Sequence, residues 1–80
     1  MNQTITLDKL AVGQNATELR LNTVGDMRRR FIDLGLIEGT DVICVGKSPL
    51  GDPSAFLIRG AVIAIRSEDA GTVEAVLTAQ

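Results

Sequence analysis

The run from Thr23 to Gly39, TVGDMRRRFIDLGLIEG, is the one stretch with helical periodicity in a chain otherwise built of short strand-like runs. Val24, Met27, Phe31 and Leu34 recur at spacings of three and four, which places one apolar stripe along a helix. Thr23 stands where a cap belongs, and Asp26 follows three residues on as the acidic partner of a capping box. Gly35 comes just past the last periodic residue, where helix C-termini commonly need a left-handed conformation. Leu36 then falls where a Schellman cap folds a side chain back, here onto Phe31. Arg28, Arg29 and Arg30 ride the other side. A fold organised around this segment has one helix to plug its core and must make the rest from strands.

The flanking pattern is strand-like. Ile5 to Leu10 starts extended and then makes a helical turn, with Thr6 as its cap and Leu7 and Leu10 inward. Ala16 to Asn22 alternates, which puts Thr17, Leu19 and Leu21 on one face and Glu18 and Arg20 on the other. Val42 to Val45 is apolar throughout, as for a strand that is covered on both faces or bends sharply. Ser54–Arg59 and Ala61–Arg66 read as a tight hairpin joined at Gly60. Ser67 to Gly71 reads as a single capped turn with acids at its start. Val73, Ala75 and Leu77 share one face of a last strand, and Thr78 to Gln80 form a frayed tail. The expected fold is mainly β: a small barrel of about five strands with one helix and short helical turns, closed so that its edges are protected.

At 80 residues the chain is expected to form a single domain over 1–80. The apolar share of 45% is that of a globular protein. A net charge of −2 argues against electrostatic capture of nucleic acid or anionic membrane. The first ten residues lack the basic and apolar regions of a signal peptide. No apolar run approaches the ~20 residues of a membrane span. A soluble, cytoplasmic protein without direct membrane insertion is expected.

Little in the sequence can do chemistry. Without histidine, the usual general base and commonest metal ligand are missing. The single cysteine, Cys44, lies mid-strand between Ile43 and Val45 and reads as a small buried hydrophobe. Asp33, Glu38, Asp41 and Asp52 are scattered near turns, where carboxylates form turns or stay solvated. The glycines stand apart, one per turn, and make no phosphate-cradling motif. No catalytic residue, no metal ligand and no cofactor is expected, and the chain reads as a non-enzyme.

Binding is the remaining class. The arginine run is either a solvated face or a contact for an acidic partner, in which case Arg28 and Arg29 are the residues concerned. Stacking on nucleic acid would want aromatic platforms, and the only aromatics, Phe31 and Phe56, lie in apolar patterns. The segment Ser48-Pro49-Leu50-Gly51-Asp52-Pro53 holds both prolines of the chain. They stiffen it, so that presenting it to a partner forfeits little entropy. Pro49, Leu50, Gly51, Asp52 and Pro53 are therefore the first candidate partner-binding residues, with Leu50 at the tip. The alternative is a rigid connector with Leu50 folded back onto the barrel.

RRRFIDLGLIEGTDV, followed by SPLGDPSAFLIRGAVIAIRSEDAGTVEAV, resembles the ferrous iron transport protein A (FeoA) family. The likeness runs from Leu7 almost to the end. It is most specific at Arg30–Gly39, at Pro49–Pro53, and at Ile63–Arg66 with the acidic turn that follows. The resemblance implies an SH3-like barrel with added helices. It also implies a small cytoplasmic accessory protein that meets FeoB, the membrane ferrous iron transporter with a GTP-binding domain. Domains of this kind also end iron-dependent repressors, so a metal-binding or metal-sensing regulatory domain is the alternative. The family supplies no catalytic residues to carry over.

Overall fold

The computed structural model describes residues 3–78. The expectation of a frayed tail therefore lies outside the described residues at 79 and 80. The elements are β1 (Gln3–Thr6), a 3-10 turn (Leu7–Lys9), β2 (Asn15–Leu21), α1 (Gly25–Asp33), β3 (Asp41–Lys47), β4 (Ser54–Ile58), β5 (Ala61–Ile65), α2 (Ser67–Ala70) and β6 (Val73–Leu77). The strands form one antiparallel sheet in the order β1-β6-β2-β3-β4-β5. Among the described residues there are six strands where about five were expected. The added one is β1, whose sequence QTIT is too polar and too short to announce a strand, as suits an edge. The sheet is curled in the SH3 manner, but β1 and β5 each pair on one side only, so the expected closure does not remove every edge.

The core is one cluster. Leu7 and Leu10 enter it from the 3-10 turn, Phe31 and Leu36 from α1 and its cap, Val42 and Cys44 from β3, Phe56 and Ile58 from β4, and Val73 and Ala75 from β6. Cys44 is fully buried, as its neighbours implied. β3 is not covered on both faces; of the two alternatives it takes the bend, since its register with β4 shifts between Cys44 and Gly46. Val42 and Cys44 are buried while Val45 is 44% exposed, so the strand alternates.

β2 departs from simple alternation. Ala16 and Glu18 are buried, although Glu18 was expected on the solvent face. The reason is a bulge: the register with β6 shifts between Glu18 and Arg20. An extra residue there exchanges the faces of the strand. Inward positions thus run Ala16, Glu18 and then Leu21, which packs against the core.

α1 ends as its sequence implied. Gly35 has φ +97, the Gly35 N–H donates to Ile32 O at 3.0 Å, and the Leu36 N–H donates to Phe31 O at 2.9 Å. This is the bonding of a Schellman cap, and Phe31 and Leu36 supply its hydrophobic contact. The start differs. The capping residue is Val24, with no side-chain hydrogen bond and 81% exposure, so Val24 leaves the stripe. Thr23 is buried instead, and its hydroxyl pairs with that of Thr72 at 2.6 Å. A remote partner has displaced the local one. Thr6 likewise makes no backbone cap, and its hydroxyl donates to Asp8 Oδ1.

Candidate functional site: a braced loop and two clefts beside the helix

The loop between β3 and β4 is held from within and from outside. The Ser48 N–H donates to Pro53 O at 3.1 Å, the Gly51 N–H to Ser48 O at 2.8 Å, and the Ser48 hydroxyl to Asp52 O at 2.7 Å. The Asp52 carboxylate accepts from the Ser67 N–H at 2.8 Å and so supplies the first turn of α2 with the cap its own sequence lacks. Pro49, Gly51, Asp52 and Pro53 are exposed, and Leu50 is 94% exposed at the tip. Leu50 is therefore not folded back onto the barrel. A large apolar side chain stands in water at the tip of a loop braced by these hydrogen bonds.

Arg28 and Arg29 are both exposed. The Arg28 guanidinium donates to Leu21 O at 2.7 Å and Thr23 O at 3.3 Å, tying the helix to the end of β2. The loop is anchored to α2 and Arg28 to the β2–α1 connection, so different elements position the two candidate surfaces.

Two clefts flank α1. One, of about 250 Å³, lies between β2 and the end of the helix and is lined by Glu18, Arg28, Ile32, Leu36 and Glu38 among others. Glu18 is only 2% exposed, and its Oε1 has no hydrogen-bond partner among the described residues. Burial pushes its carboxyl above the ordinary range, Glu38 pushes the same way, and Arg28 opposes them. Folding thus favours the protonated form. That contribution is present at pH below the unfolded carboxyl value and is lost as pH rises through the raised one. At neutral pH the buried charge costs stability. Glu18→Gln keeps the shape and removes the charge, so it should melt at a higher temperature than the parent at neutral pH. The gap should close in acid. A gap of the same size at both pH values would contradict this account of Glu18.

The other cleft, of about 170 Å³, runs between α1 and β5. Met27, Phe31 and Leu34 form one wall, Ile63 and Ile65 the other, and Arg30 and Arg66 stand at the rim. Both clefts are smaller than the ~300–1,000 Å³ of pockets that enclose a cofactor or drug-sized ligand. They suit single side chains. No group of three or more histidine, cysteine or acidic residues converges among the described residues. No helix among them is long and apolar enough to cross a membrane.

Arg28 and Arg29 are the expected contact residues of the helix, whereas Arg30 was expected only on its solvated side and Glu18 only on the outer face of β2. Arg30 lies three residues after Met27 and four before Leu34, so it borders the stripe, and that spacing was the available signal. Glu18 gave none, because only the bulge turns it inward.

The FeoA domain model matches residues 5–76. A Fe(2+) transport protein A/Fe(2+) transporter FeoB fusion protein of Porphyromonas gingivalis is 31% identical over 68 residues, which is 85% of this chain and 8% of that protein. The chain thus spans a small part of the curated relative it matches. A solution structure of FeoA from Chlorobium tepidum superposes with a TM-score of 0.88 at 28% identity, covering 94% of this chain and 71% of that one. The Stenotrophomonas maltophilia FeoA, described as an SH3 domain protein complexed with zinc, gives 0.79 at 25% identity over 89% and 88% of the two chains. The IdeR of T. acidophilum shares the fold with a TM-score of 0.82, at 20% identity over 94% of this chain and 34% of that one. With its sequence motifs, its SH3-like sheet and these relatives in agreement, this chain belongs to the FeoA domain family, which is linked to ferrous iron transport.

Proposed function

We propose that this chain is a cytoplasmic accessory protein of ferrous iron uptake that acts by contact with a FeoB-type transporter and catalyses no reaction. The observation that carries this reading is the Porphyromonas gingivalis relative, in which a segment like this chain is joined covalently to FeoB. Domains fused in one protein share an effective concentration that separate chains must replace with affinity. Fused or separate, a domain that acts by contact with the transporter needs a contact surface.

The loop from Pro49 to Pro53 meets that need. An exposed leucine on a braced support gives a partner apolar area with little ordering to oppose binding. Arg28 and Arg29 form a second surface, with Arg29 the freer of the two because Arg28 is committed to backbone carbonyls. Leu50→Asp should leave the fold intact, since Leu50 touches no core. It should abolish capture of the transporter in a pull-down, with amide spectra unchanged away from the loop. A folded Leu50→Asp chain that still captures the transporter moves the contact to Arg29. An unfolded one would mean that the loop serves the barrel.

A further inference from the structure

β5 has the sequence AVIAI and lies at the edge of the sheet. Exposed edges are usually blunted by a lysine, a proline or a bulge, because their unpaired backbone groups invite another strand. β5 has none of these: its ladder with β4 is regular over all five residues. The hairpin turn is Arg59-Gly60, with φ of +49 and +86, so Ile58 and Ala61 close the ladder across a two-residue loop. Hydrogen-bonded pairs then alternate along the hairpin. Ala61, Ile63 and Ile65 turn their backbone groups toward β4, while Val62 and Ala64 turn theirs outward. Both outward residues are exposed, Val62 by 64%. The cleft between α1 and β5 runs beside this open edge.

We propose that the β5 edge and the adjoining cleft bind an extended, acidic segment of a partner polypeptide by strand addition. The backbone of Val62 and Ala64 pairs with the incoming strand. One of its alternate apolar side chains enters the cleft between Phe31 and Ile63, whose volume suits a single side chain. The charge of the segment follows from the rim, where Arg30 and Arg66 outnumber Asp69. A second copy of β5 fits less well. The segment Arg59–Arg66 carries two arginines and no acid, so a second copy would meet the cationic rim with like charge. This proposal rests on action by protein contact but needs neither the loop nor a transporter, so the two can fail separately.

The test is a titration of the isotope-labelled full chain with short synthetic peptides. One alternates valine and glutamate, one alternates valine and lysine, and one is the valine–glutamate peptide N-methylated at every residue, so that neither edge can donate. The valine–glutamate peptide should shift the amide signals of Val62 and Ala64 and slow their hydrogen exchange. The lysine peptide should bind about tenfold more weakly or worse, and the methylated peptide should not bind. Ala64→Pro removes an N–H that faces away from β4, so the fold should survive and binding should be lost. Val62→Glu, which sets a like charge beside the peptide's glutamates without touching the backbone, should also weaken binding and covers the case in which the proline variant fails to fold. The proposal is overturned if the valine–glutamate peptide does not bind, if the lysine peptide binds as well, or if both variants bind like the parent. It is also overturned if the β5 signals shift with protein concentration alone, which would make a second copy the occupant.

Discussion

Phe31→Ala should unfold much of this protein. Phe31 is the one buried residue of α1, at 3% exposure, and it touches both the core and the cap residue Leu36. Removing a buried phenylalanine ring costs about 3–5 kcal/mol, because the surroundings collapse only partly into the cavity. A small domain holds about 0.05–0.15 kcal/mol per residue in total, so the loss is a large share of what there is. A melting temperature lower by at least about 12 °C is expected, with the helical part of the circular dichroism lost alongside. Ile32 is the control. It is the next residue along the helix but 43% exposed, and Ile32→Ala should cost roughly 0.5 kcal/mol. Near-parental melting of Phe31→Ala, or equal losses for the two, would place the helix in the wrong register. The ring also walls the cleft beside β5, so the variant should lose whatever binds there even at temperatures where some of it stays folded.

What could be read from the sequence was what local chemistry decides. The Phe31, Leu34, Gly35, Leu36 series encodes a helix end within a few residues, and the hydrogen bonds of that end are the expected ones. The β4–β5 hairpin and the inward set Val73, Ala75 and Leu77 were equally local. The misreadings share a different cause. Thr23 satisfies every rule for a cap, but Thr72 reaches it from the other end of the chain. Glu18 lies on the outer face of a regular strand, and one extra residue against β6 turns it inward. α2 draws its cap from Asp52, fifteen positions away. In each case a long-range partner competes with a local rule and wins, and no window of sequence contains both partners. The site shows the same division. Stiffness at Pro49–Pro53 could be read from composition, and the exposure of Leu50 fits it. That β5 would be an outer strand was hidden, because AVIAI reads as a strand for the interior of a sheet.

Those two kinds of information meet at the junction of α1 with the β4–β5 turn. Arg59 occupies a left-handed position that usually goes to glycine, asparagine or aspartate. Its stem lies over Gly35, where a Cβ would overlap Arg59 Cδ. The absence of a side chain at 35 therefore serves two ends. It permits the helix cap, and it lets the hairpin arginine lie across the cap and thereby seats the hairpin that carries the open edge.

Gly35→Val and Gly35→Asn should separate these two roles. At φ +97 any L side chain is strained, by about 1–2 kcal/mol, and a β-branched one most of all. Asparagine is among the residues that tolerate the left-handed region, so its backbone cost should fall at the low end. Valine should be clearly the less stable of the two. Both introduce the Cβ that meets the Arg59 stem, and because Arg59 is exposed that stem can swing into solvent. The added overlap is thus relieved at the cost of freeing Arg59. Both variants should shift the amide signals of Arg59 and Gly60, although only valine should lower the melting temperature strongly. Adding Arg59→Gly to Gly35→Asn removes the obstructing stem and the left-handed arginine together, and the double variant should recover stability beyond the sum of the single changes. Equal stability of the valine and asparagine variants would show that the left-handed cap does not set the cost at Gly35. Undisturbed signals at Arg59 and Gly60 would show that the arginine does not rest on Gly35 in solution.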